Sequence, residues 1–192
     1  EETCPGISHL PITRIINSHT VDMQPRGELQ FLLGHRFGQL NSGFTNLYGL
    51  DEASMRLGLE YGLARRWAIG AGRSTLLKTW DGYSKLKLLT QTEDRSVPLS
   101  IVLVNGVHVR QLPYAFTDLD VESSHYLSYS HQVLLAHKLD TRFSFQLMPT
   151  LVHRNLVSAE EGANDLWALG AGGRWKLTKR FALTTEYYYI FF

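Results

Sequence analysis

The sequence predicts an all-β fold, an up-and-down antiparallel transmembrane β-barrel, on three observations. Hydrophobicity alternates with a period of two along most of the 192 residues, the periodicity of strands rather than helices. In each alternating run one face is bulky and apolar, while the other is mostly Gly, Ala and Ser with isolated charges. Three short connections share one pattern, Leu-x-x-Arg-aromatic, and lie between longer loops.

Residues 1–12, with the single cysteine Cys4, are expected to form an N-terminal arm, and 13–192 the barrel. Glu1-Glu2-Thr3-Cys4-Pro5 lacks the basic and apolar regions of a leader, which fits a processed chain as well as a cytoplasmic one. Residues 13–22 form a weak alternating run. From Gly27 to Phe37, Leu29, Phe31, Leu33 and Phe37 oppose Glu28, Gln30 and Arg36. From Ser54 to Leu63, Met55, Leu57, Leu59, Tyr61 and Leu63 oppose Arg56, Gly58, Glu60 and Gly62. Trp67, Ile69 and Ala71 then oppose Ala68, Gly70 and Gly72. Weaker runs cover 83–90 and 97–104. From Tyr126 to Ala136, Leu127, Tyr129, Val133 and Leu135 oppose Ser128, Ser130 and Gln132. After a weaker run at 143–153, Trp167, Leu169, Ala171 and Trp175 oppose Gly170, Gly172, Arg174 and Lys176. A last weak run covers 181–192. These make about ten strand-like segments, several of the nine to eleven residues that a tilted strand needs to cross a bilayer.

The two faces separate the all-β classes. In a sandwich or soluble barrel the second face meets water and should be rich in Lys, Glu, Asp, Thr and Arg. Small residues cover such a face poorly but fit an enclosed interior. A bulky outward band around a small or polar interior is the membrane-barrel pattern. Leu29, Phe31, Leu33, Leu57, Leu59, Tyr61, Trp67, Trp167, Leu169 and Trp175 are therefore expected to face lipid.

The turns are Leu63-Ala64-Arg65-Arg66-Trp67, Leu139-Asp140-Thr141-Arg142-Phe143 and Leu177-Thr178-Lys179-Arg180-Phe181. Arg can sit at the headgroup level with the aromatic beside it. Longer loops are expected near 38–53, 74–82, 105–125 and 154–165. Short turns at one end and long loops at the other are the asymmetry of an outer-membrane barrel. In this scheme 13–22 is the odd segment, expected either inside the barrel or as a departure from the turn assignment. The strand from Phe181 runs away from the turn end, so C-terminal strands are expected beyond Phe192 and a full barrel of about twelve. Ala68-Ile69-Gly70-Ala71-Gly72-Arg73 is echoed by Ala168-Leu169-Gly170-Ala171-Gly172-Gly173-Arg174, which suggests two similar strands rather than a duplication.

The stretches His35-Arg36-Phe37-Gly38, Leu47-Tyr48-Gly49-Leu50-Asp51, Arg56-Leu57-Gly58-Leu59-Glu60-Tyr61-Gly62 and Ile69-Gly70-Ala71-Gly72-Arg73-Ser74, with Lys85-Leu86-Lys87-Leu88-Leu89 and Pro98-Leu99-Ser100, carry a resemblance. Together they resemble a bacterial outer-membrane β-barrel family whose biochemical role is uncharacterised. The similarity covers about 13–192 and is strongest over 27–100. It implies an outer-membrane barrel and no catalytic residues.

Composition supports this by exclusion. With 44% hydrophobic residues and a net charge of +1, nothing marks a nucleic-acid partner. One cysteine excludes a disulfide framework and a Cys-cluster metal site. The absence of an 18-residue apolar run excludes only membrane helices. Gly70-x-Gly72 and Gly170-x-Gly172 lack the third glycine and following helix of a nucleotide site, so tight packing is the better account. The Gly-x-Ser-x-Gly and His-Glu-x-x-His patterns do not occur. His125, His131 and His137 share a strand face but stand about 20 Å from one another in turn, too far for one ion. No metal or cofactor is therefore expected, and no catalytic residue is assigned.

The positive clue is charge on the small-residue face. Arg36, Arg56, Arg73, Lys85, Lys87, Arg174 and Lys176 stand against Glu28, Glu60 and Glu186. A wet lumen of this sign would favour anions. Pairing into an internal network that plugs the barrel is the preferred account, with Arg56 and Glu60 as a candidate pair. The expected function is a non-enzymatic outer-membrane barrel, in contact with outer-membrane lipid. It would act as an accessory subunit reaching other membrane-complex proteins through its long loops, or as an anion-biased pore. A soluble lipocalin-like barrel and an outer-membrane lipid hydrolase are the rivals.

Overall fold

The computed structural model describes residues 13–191 apart from 39–40, 42, 51–52, 95, 116–120 and 160–161. The expected arm at 1–12, Cys4 and Phe192 lie outside the described residues. The chain forms one antiparallel sheet of nine strands in sequential order. These are β1 Leu29–Arg36, β2 Ser54–Ala64, β3 Trp67–Ser74, β4 Trp80–Leu89, β5 Ser100–Val109, β6 Leu127–Lys138, β7 Phe143–Arg154, β8 Asp165–Lys176 and β9 Ala182–Phe191. The edge strands β1 and β9 run in the same direction and are not paired with each other.

The segment 13–22, expected either inside the barrel or as a departure from the turn assignment, is not part of the sheet. It folds on itself inside the curved sheet, closed by Thr20 N–H to Thr13 O at 3.0 Å and Ile15 N–H to Ser18 O at 2.9 Å. Its residues Ile15 and Val21 join Val102, Val104, Leu134, Ala136 and Met148 in the core. We call residues 13–26 the plug. Val21 is wholly buried against the barrel interior.

Connections at 65–66, 90–99, 139–142 and 177–181 share one end, and those at 37–53, 75–79, 110–126 and 155–164 share the other. The ten-residue link at 90–99 is the exception to short turns at the first end. The shared turn pattern has a physical cause in two of its three copies. The Asp140 carboxylate accepts the backbone N–H groups of Arg142 and Phe143 at 2.6 and 2.7 Å. The Thr178 hydroxyl accepts those of Arg180 and Phe181 at 3.2 and 3.0 Å. Ala64 can accept nothing at the equivalent place, and there the pairing shifts register between Gly62 and Ala64.

The backbone N–H groups of Arg142, then Phe143, hold the Asp140 carboxyl below its usual range. A depressed folded pKa stabilises above the unfolded value, about 3.9, and that contribution disappears as pH falls through the folded value. Asp140→Ala is therefore expected to lower the urea midpoint at pH 7, with the gap to the parent protein closing as pH falls through the folded value. Parallel urea titrations across pH check this, and a gap independent of pH would refute the turn's role.

All four tryptophans face outward, in two levels. Trp67 and Trp175 stand at the turn end, Trp80 and Trp167 at the loop end, each about half exposed. Along β8 the two levels are about 26 Å apart at roughly 3.3 Å per residue, close to the roughly 25 Å apolar band of a membrane barrel. Between these levels the outward face carries no Asp, Glu, Lys or Arg among the described residues.

Candidate functional site

Strand alternation sorts the side chains. Leu29, Phe31, Leu33, Leu57, Leu59, Tyr61, Trp67, Trp167, Leu169 and Trp175 all lie on the outward face and are exposed. Arg36, Arg56, Glu60, Lys85, Lys87, Arg174 and Glu186 lie on the inward face. Arg73 does not belong with them. It is opposite Leu57 in β2 and Trp80 in β4, so it faces outward at the loop end. Its guanidinium lies 5.6 Å from the Trp80 ring centroid, a cation at the level of an aromatic belt.

Inside, Arg56 and Glu60 each pair, but not with one another. Arg56 reaches across β3 to Asp81 on β4, its Nε donating to Oδ1 at 2.9 Å and its Nη2 to Oδ2. Its guanidinium lies flat over Gly58 and Gly72, where an added Cβ would fall 2.5 Å from guanidinium nitrogens. Glu60 and Lys85 form a second pair at 3.4 Å, both side chains fully buried. Tyr83 donates to Glu60 at 2.8 Å, and Lys85 donates to the Asp22 carbonyl of the plug at 2.9 Å. An isolated buried charge is very costly, so this fully bonded arrangement is what the interior can tolerate.

The glycine echo in β3 and β8 has the same purpose in both copies. Gly70 is opposite Tyr83, and Gly170 is opposite Tyr188. A Cβ at either would lie 2.2 and 2.4 Å from the tyrosine ring. Each glycine leaves the floor on which a cross-strand tyrosine lies. Tyr83 serves the ion pair, and Tyr188 contacts the Ser18 hydroxyl of the plug and accepts from Gln132 at 2.9 Å.

The plug is held through its backbone. One Glu186 oxygen accepts the N–H groups of Ile16, Asn17 and Ser18 at 3.2, 3.2 and 3.1 Å. Buried Gln146 accepts from Val21 N–H at 3.2 Å and donates to His19 O at 2.8 Å, as a strand neighbour would. Thr13 donates to Gln30 of β1 at 2.9 Å. The plug thus touches both edge strands, β1 and β9. His19 packs edge-on against Tyr83, with ring centroids 4.4 Å apart. Burial, then the nearby Arg14 and Lys85 charges, hold its imidazole well below the usual range and therefore neutral.

This geometry agrees with the comparison to known families. The model of the family DUF5777, described as a membrane-bound beta barrel domain, matches residues 12–192. The chain belongs to that family. As a member, it is a membrane-bound β-barrel, and the soluble lipocalin-like alternative is set aside: the bulky face that would have lined a ligand cavity is the outside of the sheet. No curated protein and no solved structure matches the chain.

Asp81, Arg14, Gln146 and His108 are interior residues that sequence reasoning passed over. Alternation starting at Trp80 rather than Tyr83 would have found Asp81. Among the described residues no group of three or more His, Cys, Asp or Glu could hold a metal ion.

Proposed function

We propose that the protein is a non-enzymatic barrel of the bacterial outer membrane, closed by its own plug, with a structural role as an accessory subunit of a membrane complex. The observation that carries this is the packing at mid-height. Val21, Glu60, Lys85, Val102, Leu134, Gln146 and Met148 are all less than 2% exposed. A barrel filled in this way has no wet path for a solute at that level. Its outward bulky face would meet outer-membrane lipid, and its longer loops would supply partner contacts.

An anion-biased pore is the second reading, favoured by the plug's attachment mainly through hydrogen bonds, the one β-bridge to the wall among the described residues being Arg26 to Gly62. Conductance in planar bilayers separates the two. The full chain is expected to give no ohmic conductance, and Glu186→Gln, which weakens the three amide contacts, is expected to give intermittent openings. Steady anion-selective current from the unmodified protein would overturn the closed-barrel reading. Recovery in the inner-membrane fraction of a density gradient would overturn the outer-membrane assignment.

A further inference from the structure

Above the plug, at the loop end, the wall and the plug line an open pocket of about 400 Å³, with Arg36 exposed at its edge. Arg14 of the plug, Arg36 of β1, Arg56 of β2, Asp81 of β4 and His108 of β5 line it. Three guanidinium groups meet one carboxylate, and Asp81 is already taken by two hydrogen bonds from Arg56. Arg36 makes no ion pair among the described residues, and its electrostatic surroundings include Arg14 and Arg56. Glu186, the carboxylate that acts on Arg36, is committed to three backbone amides of the plug. Arg14 donates to the Asn17 carbonyl at 2.9 Å and lies 5.2 Å from the Tyr83 ring centroid, so its position is set by the plug itself.

The pocket thus holds two guanidinium groups with no carboxylate of their own. Guanidinium is weakly hydrated and presents a planar fork of donors that fits phosphoryl oxygens. A net surplus of two positive charges (three arginines less Asp81) matches one dianion. The volume exceeds that of inorganic phosphate and leaves room for an organic group. The pocket is lined by inward-facing residues and by loop residues such as Leu76 and Leu77, not by the lipid-facing side of the sheet.

We propose that this vestibule is a binding site for a soluble phosphate monoester, its phosphoryl group bridged between Arg36 of the barrel wall and Arg14 of the plug. The site is complete only with the plug seated, so ligand binding and plug docking stabilise each other. The proposal goes beyond the closed-barrel reading and does not need it, since conductance is not among its readouts.

The test is titration calorimetry on the detergent-purified full chain with inorganic phosphate, phenyl phosphate and dihexanoyl phosphatidic acid. Inorganic phosphate and phenyl phosphate are expected to bind, and Arg36→Gln to weaken both by about tenfold or more. Phosphate is also expected to slow trypsin cleavage after Arg14 in the unmodified protein, a readout that needs no variant to fold. No binding of phosphate or phenyl phosphate at 10 mM (roughly the weak end of specific affinities) would overturn the proposal, as would affinity within twofold of the parent in Arg36→Gln. Binding of the phosphatidic acid alone would overturn the soluble ligand in favour of a lipid headgroup.

Discussion

Replacing Glu60 with Leu is expected to destabilise the folded barrel by about 3–5 kcal/mol, the cost of leaving a buried charge without its partner. Lys85 is fully buried, and its ammonium has two partners, Glu60 at 3.4 Å and the Asp22 carbonyl at 2.9 Å. Removing the carboxylate leaves the carbonyl, which carries no compensating charge. The same change takes the acceptor from Tyr83, whose hydroxyl is buried with it, adding about 1–3 kcal/mol if water cannot replace it. The double variant Glu60→Leu/Lys85→Met removes both charges, and such replacements are often neutral or stabilising. It should therefore recover most of the loss. Urea unfolding followed by tryptophan fluorescence gives the full cycle. A single-variant loss below about 1 kcal/mol, or no recovery in the double variant, would mean that water reaches the pair and that the mid-height packing is loose.

The pair also shows how far the sequence carried the site. Glu60 and Lys85 were both legible as interior charges, because each sits in a run whose alternation is unbroken over many residues. Their partnership was not legible. It depends on β3 lying between them with Gly70 and Ala68 in the intervening positions, which only the register shows. Arg73 was misplaced although its own strand held the answer, since strict alternation from Trp67 puts it with Ile69 and Ala71. Asp81 was hidden by a boundary: with the strand begun at Tyr83, Trp80 and Asp81 were counted as loop. The outward-facing set was easier to place, because bulky side chains at alternate positions repeat in strand after strand and one error cannot cancel the pattern. Residues 13–22 mark the limit of periodicity. A short hairpin packed inside a barrel alternates as a wall strand does; turn parity marks it as the odd segment, and its tertiary partners, Glu186 and Gln146 more than 100 residues away, place it inside.

The second large effect is expected at Gly62, where the plug leaves the lumen. Here the last residues of the plug and the chain just after it lie directly against β2. Gly27 N–H donates to Gly62 O at 2.8 Å, Gly62 N–H donates to Glu28 O at 3.1 Å, and Arg26 bridges Gly62 in parallel. A Cβ on Gly62 would fall 2.0 Å from the Pro25 carbonyl oxygen and 2.6 Å from that of Gln24. Both are backbone atoms, so no rotamer change can relieve the clash, and the 24–26 segment has to move off β2. Gly62→Ala should therefore cost about 1–3 kcal/mol or more, the range for overpacked sites. It should also unseat the plug, so that trypsin cuts after Arg14 many-fold faster than in the parent. Gly34→Ala is the matched control: it too is an inward glycine, but its nearest neighbour would be 3.7 Å from the new methyl group. If the two variants unfold alike and are cleaved alike, the plug is not held at this point. If only Gly62→Ala opens the plug, then the seating of residues 13–26 depends on this close approach of two backbones as well as on Glu186 and Gln146. In that case the glycine that reads in the sequence as one more small interior residue of β2 is one of the residues that keep the plug in place.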